Sequence, residues 1–404
     1  MPMPSHPGCL VPEPEMDSRM ALRVLHVLSG DVWGGAEAMV RDLAVAQSRR
    51  GVVEPACLVM NEGLLADELR KAGISVTVID ESRFNFVQIV QRARRQVGAW
   101  RPAVLHSHRA KEHVLAAILG YLGRRRGLPV AVVATIHGAP EFSRAWSDVR
   151  GRLADVSERI ALSRGCAAVV AVSGDLAMRI RADLPTGPPP VVILNGIDSA
   201  KVREDSLRPV AGAPLPPRRE GEIRLVAVGR LVTVKRFERL MPLAEMIAKL
   251  TARPVTILLA GDGPLRSMLD GVLSTAADGA EVLMLGFRAP VAPVIAAADA
   301  LIITSDHEGV PIAALEAAVL CKPVFAFSVG GLPEIIGTRV PGVVVPPADI
   351  AAMARAVASQ LGDAVGDPWK VTSVLDVGMT AAQYEALYRS VASANDAGAV
   401  NGGR

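Results

Sequence analysis

Aromatic residues make up only 3% of the 404-residue chain. A core with so few rings must be filled by Ala, Val, Leu and Ile, which suits parallel sheets flanked by Ala-rich helices. Cysteine is scarce too. Cys9, Cys57, Cys166 and Cys321 lie far apart and form no C-x-x-C pair, which excludes a compact disulfide framework and the usual zinc spacings. A reducing, cytoplasmic setting is the simplest fit. Long apolar runs are missing: every candidate is broken by Arg, His or Asp before the roughly 18 residues that a membrane span needs. Charge of one sign is also lacking, since a net +3 is too small to indicate nucleic-acid binding. Residues 1–20 carry Pro2, Pro4, Pro7, Pro12 and Pro14 but no apolar stretch, and read as a disordered leader rather than an export signal.

What the chain has in quantity is short β-branched runs alternating with longer helix-like segments, over a length that calls for two domains. The first series of predicted strands is Leu22–Leu28, Pro55–Val59, Ser75–Ile79, Ala103–His106, Val130–Ile136, Ala168–Val172 and Val191–Leu194. Residues 199–222 then show Pro209, Pro214, Pro216 and Pro217, many charges and no periodicity, as expected of a linker. A second series follows: Ile223–Val228, Val255–Ala260, Val282–Leu285, Ala300–Ile303, Pro323–Ala326 and Gly342–Val345. The domains are therefore placed at 21–198 and 223–379. A last helix over 380–394 puts Tyr384, Leu387, Tyr388 and Val391 on one face, which needs a partner surface, either in its own domain or across in the first. Residues 395–404 read as a disordered tail.

Doubly wound sheets bind ligands at the carboxyl ends of their strands, so the strand-to-helix turns hold the chemistry. Arg230 and Lys235 follow one strand end, where a planar fork and a mobile ammonium could hold a diphosphate; two solvated loop cations are the plain alternative. Gly261-Asp262-Gly263-Pro264 marks a turn in which glycine permits positive φ or close approach to a ligand. The densest stretch runs from Ser305 to Glu316. Glu308 and Glu316 are separated by seven residues around Gly309, Val310 and Ile312, with a helix starting at Pro311. One carboxylate could then reach a sugar hydroxyl and the other a ribose, with free helix amides between them aimed at phosphate.

Taken in order, Gly229-Arg230 with Lys235, Gly261-Asp262-Gly263-Pro264, Glu308 through Glu316 and Gly330-Gly331-Leu332-Pro333-Glu334 resemble the second domain of the retaining GT-B glycosyltransferases of family 4. The resemblance implies an α/β GT-B fold, two Rossmann-like domains with parallel sheets facing an interdomain cleft. It further implies that Glu308 contacts the donor sugar, that Glu316 binds the nucleotide ribose, and that Arg230 and Lys235 neutralise the diphosphate. In the first domain, Gly34-Gly35-Ala36-Glu37 is similar to the family's glycine-rich loop at the reacting centre, and Thr135-Ile136-His137-Gly138 to its His-Gly signature, whose histidine lies beside the donor sugar.

The activity so implied is transfer of a sugar from a UDP- or GDP-linked donor, as co-substrate, to a glycan, lipid-linked or small-molecule acceptor, as in envelope or exopolysaccharide synthesis. No cofactor is expected. His106-Ser107-His108 puts two imidazoles on one strand face, but the sequence offers no third ligand beside them, and no D-x-D motif; a metal is not expected. Arg92, Arg94 and Arg95 in the amphipathic segment Phe86–Trp100, and Arg124-Arg125-Arg126, could touch anionic lipids at the inner face of a membrane; a solvated helix face is the plainer reading. Two rivals remain: a nucleotide-sugar epimerase on the same architecture, and a non-catalytic two-lobed sugar-binding protein.

Overall fold

The computed structural model describes residues 21–30, 33–138, 149–273, 279–361 and 375–401. In the first domain β1 (Leu22–Leu28), β2 (Val53–Val59), β3 (Ser75–Val78), β4 (Val104–Ser107), β5 (Ala131–Ile136), β6 (Ala168–Ala171) and β7 (Val191–Val192) form one sheet in the order β3-β2-β1-β4-β5-β6-β7. Every pairing in it is parallel. In the second, β8 (Ile223–Val228), β9 (Val255–Ala260), β10 (Ala280–Gly286), β11 (Ala300–Ile303), β12 (Val324–Phe327) and β13 (Gly342–Val345) form a parallel sheet ordered β10-β9-β8-β11-β12-β13. Both are doubly wound, and each order reverses at one point: between β1 and β4 in the first sheet, between β8 and β11 in the second. The turns after those four strands therefore open into a crevice where a ligand can enter.

The strands are buried on both faces, which is why they read as continuous apolar runs. Alternate residues still serve different layers. Val24 and Leu28 of β1 face one core with Met39, Val40 and Leu43 of the helix Gly35–Arg50, while Leu25 and Val27 face the other, with Ile89, Ala93 and Val97. Those last three line the buried stripe of the helix Phe86–Trp100, whose start is closed by an Asn85/Gln88 capping box.

The C-terminal helix runs over Val377–Asn401, longer than the sequence suggested at both ends, so residues 395–401 are helical rather than a tail. It packs on the first domain. Val377, Ala381, Tyr384, Tyr388 and Val391 join the core of β1, β2, β4 and β5, and Glu385 accepts two hydrogen bonds from Arg50, at 2.8 and 3.0 Å. The two tyrosines are 1% and 0% exposed, each worth about 1.5–3 kcal/mol of burial. The chain crosses between domains twice, and the crossings touch: Ile197 donates to the Leu375 carbonyl (2.9 Å) and Val377 to the Ile197 carbonyl (3.1 Å).

The interval 199–222 is not wholly irregular. Ser199–Ser206 is a helix, capped by Asp198, whose carboxylate accepts from the Lys201 amide at 3.0 Å. Its single apolar anchor, Val202, packs into the second-domain core with Ile295 and Leu315. One anchor in eight residues is too little for a periodic signal, so the sequence read as a linker. Residues 149–160 form a further helix, while 142–148 lie outside the described residues, as does the leader.

Candidate active site

The loop after β8 needs glycine at Gly229, where φ is 156°. Arg230 follows, half-buried, then a 3-10 turn over Thr233–Lys235. This loop is pinned to the one after β11. Thr304 Oγ1 donates to the Lys235 carbonyl (2.9 Å), and Asp306 accepts from Arg236 Nε (2.5 Å) and Arg239 (2.8 Å). Pinning the backbones brings Lys235 Nζ to 2.7 Å from Glu308 Oε1, which also accepts from Ser305 Oγ at 2.5 Å. Glu308 is 8% exposed, so its carboxylate is held by a charge-assisted bond in a partly desolvated site.

The helix behind Glu308 begins at Ile312, one residue later than the sequence suggested. Pro311 is the N-cap and provides no side-chain cap, so the first-turn amides are not closed by one. Val310 is buried, and its carbonyl accepts from Asn195 Nδ2 at 2.9 Å. Ile312 packs against Gly35 of the first domain.

Glycine packing explains most of the motif spacing. A Cβ on Gly309 would stand 2.4 Å from the carbonyl oxygen of His137 and 2.7 Å from Val172; one on Gly331 would meet the Gly309 carbonyl at 2.4 Å and Ser173 Cβ at 2.6 Å. Both glycines sit where the two domains touch, backbone against backbone. Gly261 and Gly263 differ from the tight-turn expectation. Neither has positive φ; each lacks a side chain because the Gly229–Leu231 loop packs directly on it. Beyond this seam, Glu334 accepts from the amides of Gly174 and Asp175 (both 2.9 Å), the start of a first-domain helix.

Gly34 is the uncapped N-cap of the helix Gly35–Arg50, in extended conformation; the positive φ of this loop falls at Gly30. Around it lie residues to which the sequence reading gave no role of their own. Glu37, buried, accepts from Arg109 at 2.5 Å. Ser29 donates to Glu112, whose carboxyl is pushed up by burial. His137, at the end of β5, is lowered to about 3, first by burial and then by the Arg109 charge. It is therefore neutral at neutral pH. Arg109 and Glu112 follow the switch-point strand β4, which is the one signal that could have marked them.

Glu316 lies one helical turn beyond Ile312, on the face turned to the first domain. Burial, then Asp42 and Asp205, raise its carboxyl to about 8, and Arg41 opposes them. Asp42 itself rises to about 6, mainly by burial. The structure thus joins Lys235 to Glu308 and sets Glu316 apart from them, among Arg41, Asp42 and Asp205.

The two-imidazole reading of His106 and His108 needs correction, because the parallel register pairs His106 with His26 of β1. Ligating nitrogens of the three buried rings lie within 4.8 Å of one another. All six ring nitrogens, however, already face protein partners: Gln47, His108, Tyr388, Thr135, His26 and His137. A metal would have to displace those bonds.

Comparison with known proteins identifies the family of both domains. Residues 33–201 match the model of Glycosyltransferase Family 4, and residues 222–363 that of Glycosyl transferases group 1. The chain is 27% identical to the 2-deoxystreptamine N-acetyl-D-glucosaminyltransferase of Streptomyces fradiae, over 83% of this chain and 84% of that protein. It is 29% identical to the glycogen synthase of Mycobacterium tuberculosis, over 66% and 61%. The fold is similar to that of the Anabaena HepE protein in complex with UDP-glucose, with a TM-score of 0.65, 18% identity and coverage of 94% and 100%. It is also similar to the catalytic domain of Arabidopsis thaliana starch synthase IV bound to ADP and acarbose, with a TM-score of 0.68, 16% identity and coverage of 92% and 100%. With one family match on each of two doubly wound domains, the chain belongs to the GT-B glycosyltransferases.

Proposed function

We propose that this protein is a retaining glycosyltransferase that moves a sugar from a nucleoside-diphosphate sugar to a hydroxyl acceptor without a metal ion. The observation that carries the reading is the Lys235–Glu308 pair, at 2.7 Å, one residue from the glycine seam with His137. Breaking the bond between the anomeric carbon and phosphate creates a cationic sugar and an anionic leaving group. Arg230, Lys235 and the first-turn amides after Pro311 would meet the anion; Glu308 would hold the sugar. Two structural neighbours, one in complex with UDP-glucose and one bound to ADP, support a nucleotide-linked donor. A non-catalytic sugar-binding protein would not need cations and uncapped amides gathered on a diphosphate. An epimerase would alter the donor alone, without acceptor.

Retention is read as same-face attack on the sugar, with the departing phosphate taking the acceptor proton. The test begins with a thermal-shift panel of UDP- and GDP-sugars, because a ligand of the folded state raises the melting temperature. Turnover of the selected donor follows, with product anomeric configuration read by NMR. Lys235→Ala and Arg230→Ala should each lose about a hundred- to a thousand-fold in kcat, the usual loss for one preorganised donor to a developing charge. Glu316→Ala should weaken donor binding. Activity should persist in chelator; abolition there, with recovery on added metal, would sink the metal-free reading, and an inverted product would sink retention.

A further inference from the structure

A buried chain of hydrogen bonds runs through the first domain to His137. His108 Nδ1 is 3.3 Å from His137 Nε2, His26 Nδ1 is 3.1 Å from His108 Nε2, and His26 Nε2 is 3.0 Å from Gln47 Oε1. Gln47 Nε2 in turn donates to Tyr388 Oη at 3.4 Å. A second branch leaves Tyr388 for His106 Nδ1 (2.6 Å), passes from His106 Nε2 to Thr135 Oγ1 (2.7 Å) and ends at Tyr384 Oη (2.9 Å). Gln47, His26, His106, Thr135 and Tyr388 are 0% exposed, and burial holds the imidazoles well below their ordinary range. Each ring is therefore neutral, with one donor and one acceptor nitrogen.

One amide orders every proton in this chain. Gln47 Oε1 only accepts, so His26 carries its hydrogen on Nε2 and leaves Nδ1 bare. The hydrogen between His26 and His108 then belongs to His108 Nε2, and that between His108 and His137 to His137 Nε2. The second branch agrees. At 2.6 Å, the Tyr388–His106 contact is shorter than N–H···O bonds usually are, as expected when the phenol donates. Tyr388 is then free to accept from Gln47. All polar atoms of the chain are matched except one: His137 Nδ1, shielded from solvent and without a hydrogen-bond partner among the described residues.

We propose that Gln47, acting through His26 and His108, is a positioning residue that fixes His137 as the Nε2–H tautomer, so that its bare Nδ1 accepts a hydrogen bond from a substrate hydroxyl. The substrate half of this statement rests on the transferase reading above; the tautomer half does not. An unpaired buried acceptor costs stability until a donor completes it. A sugar hydroxyl has the chemistry to do so, and a phosphate oxygen does not.

The experiment is nitrogen-15 NMR of the full-length protein labelled at histidine, since the two neutral tautomers and the imidazolium have distinct ring-nitrogen shifts. Without ligand, His26, His108 and His137 should all be Nε2–H. An Nδ1–H tautomer or an imidazolium at His137 overturns the proposal, as does a ring shift showing bound metal. Gln47 with its amide reversed would turn every proton round and give the first of those results. UDP-glucose, or GDP-mannose if the panel selects it, should then move the His137 Nδ1 resonance; binding that leaves it unmoved overturns the substrate half. Gln47→Met should give mixed tautomers and lower kcat about tenfold, the worth of one ordinary hydrogen bond, with a smaller change in KM. Gln47→Glu keeps an acceptor towards His26 and should restore the tautomer and most of the rate. If either variant fails to fold, the wild-type spectrum still decides. A correct tautomer with no transfer from any donor would instead count against the proposed function alone.

Discussion

Adding one methyl group at Gly309 tests the seam between the domains directly. The new Cβ would lie 2.4 Å from the His137 carbonyl oxygen and 2.7 Å from Val172 Cγ2, both in the opposite domain. A carbon–oxygen contact settles at about 3.3 Å or more, so the seam must open by roughly 1 Å at this point. The obstacle is backbone and does not yield by a rotamer change. Displacing reacting groups by about 1 Å typically costs on the order of a hundredfold in rate, and Gly309→Ala should lower kcat/KM by that order. Stability should fall less than activity, because Gly309 has no positive φ and Val172 is the one core side chain it presses on; relief of backbone entropy at such a site is worth about 0.4–1 kcal/mol. Steady-state kinetics with the best donor, beside a thermal melt, reads both effects. Gly271→Ala is the control, since a Cβ there meets nothing within 4 Å. Wild-type kcat/KM in Gly309→Ala would refute the claim that the seam positions the site.

Acid should unfold the protein early. His26 falls to about 4 and His113 and His137 to about 3, each chiefly by burial. Between those values and an unfolded pKa near 6.5 the unfolded chain binds protons that the folded chain refuses, so stability is complete above that range and drains away as pH falls. Each of the three should cost about 2 kcal/mol between roughly pH 7 and pH 5. Asp42, Glu112 and Glu316, raised by burial, act in the opposite sense, but His106 and His108, lowered by burial as well, leave the imidazoles in the majority. Urea midpoints that do not drop from pH 7 to pH 5 would contradict the neutral, buried state of these rings. Tyr388→Phe removes the hydroxyl shared by His106 and Gln47 and should lower stability by about 1–3 kcal/mol in a thermal or urea melt. Truncation before Val377 should expose the apolar face of Ala381, Tyr384, Tyr388 and Val391 and yield an insoluble chain.

The thirteen strands were legible because parallel strands buried on both faces read as unbroken apolar runs, and all thirteen occur within a few residues of where they were placed. The helix Ser199–Ser206 was not, since a single Val202 anchors it and the rest is charged. The second-domain site was legible for a related reason. Gly229, Lys235, Glu308 and Gly309 each sit in a short segment after a strand, and local order survives in sequence. Glu316 shows the limit: its spacing from Glu308 was plain, but the Arg41, Asp42 and Asp205 that surround it come from two other helices.

The histidine chain marks the same limit from the other side. His106 and His108 alternate on one strand, so the sequence could place two rings on one face, yet the third arrives by register. His26 stands beside His106 only because β1, which pairs with its sequence neighbour β2 on one side, pairs with β4 on the other. Gln47 and Tyr388, which bond to each other, are 341 residues apart, and they meet because the last helix of the chain returns to the first sheet. That return explains the aromatic composition. Two of only three tyrosines lie on this helix, where a ring fills the core and its hydroxyl satisfies a polar group that a Leu or Val would leave unpaired. Phenylalanine at position 388 would keep the ring and strand the imidazole.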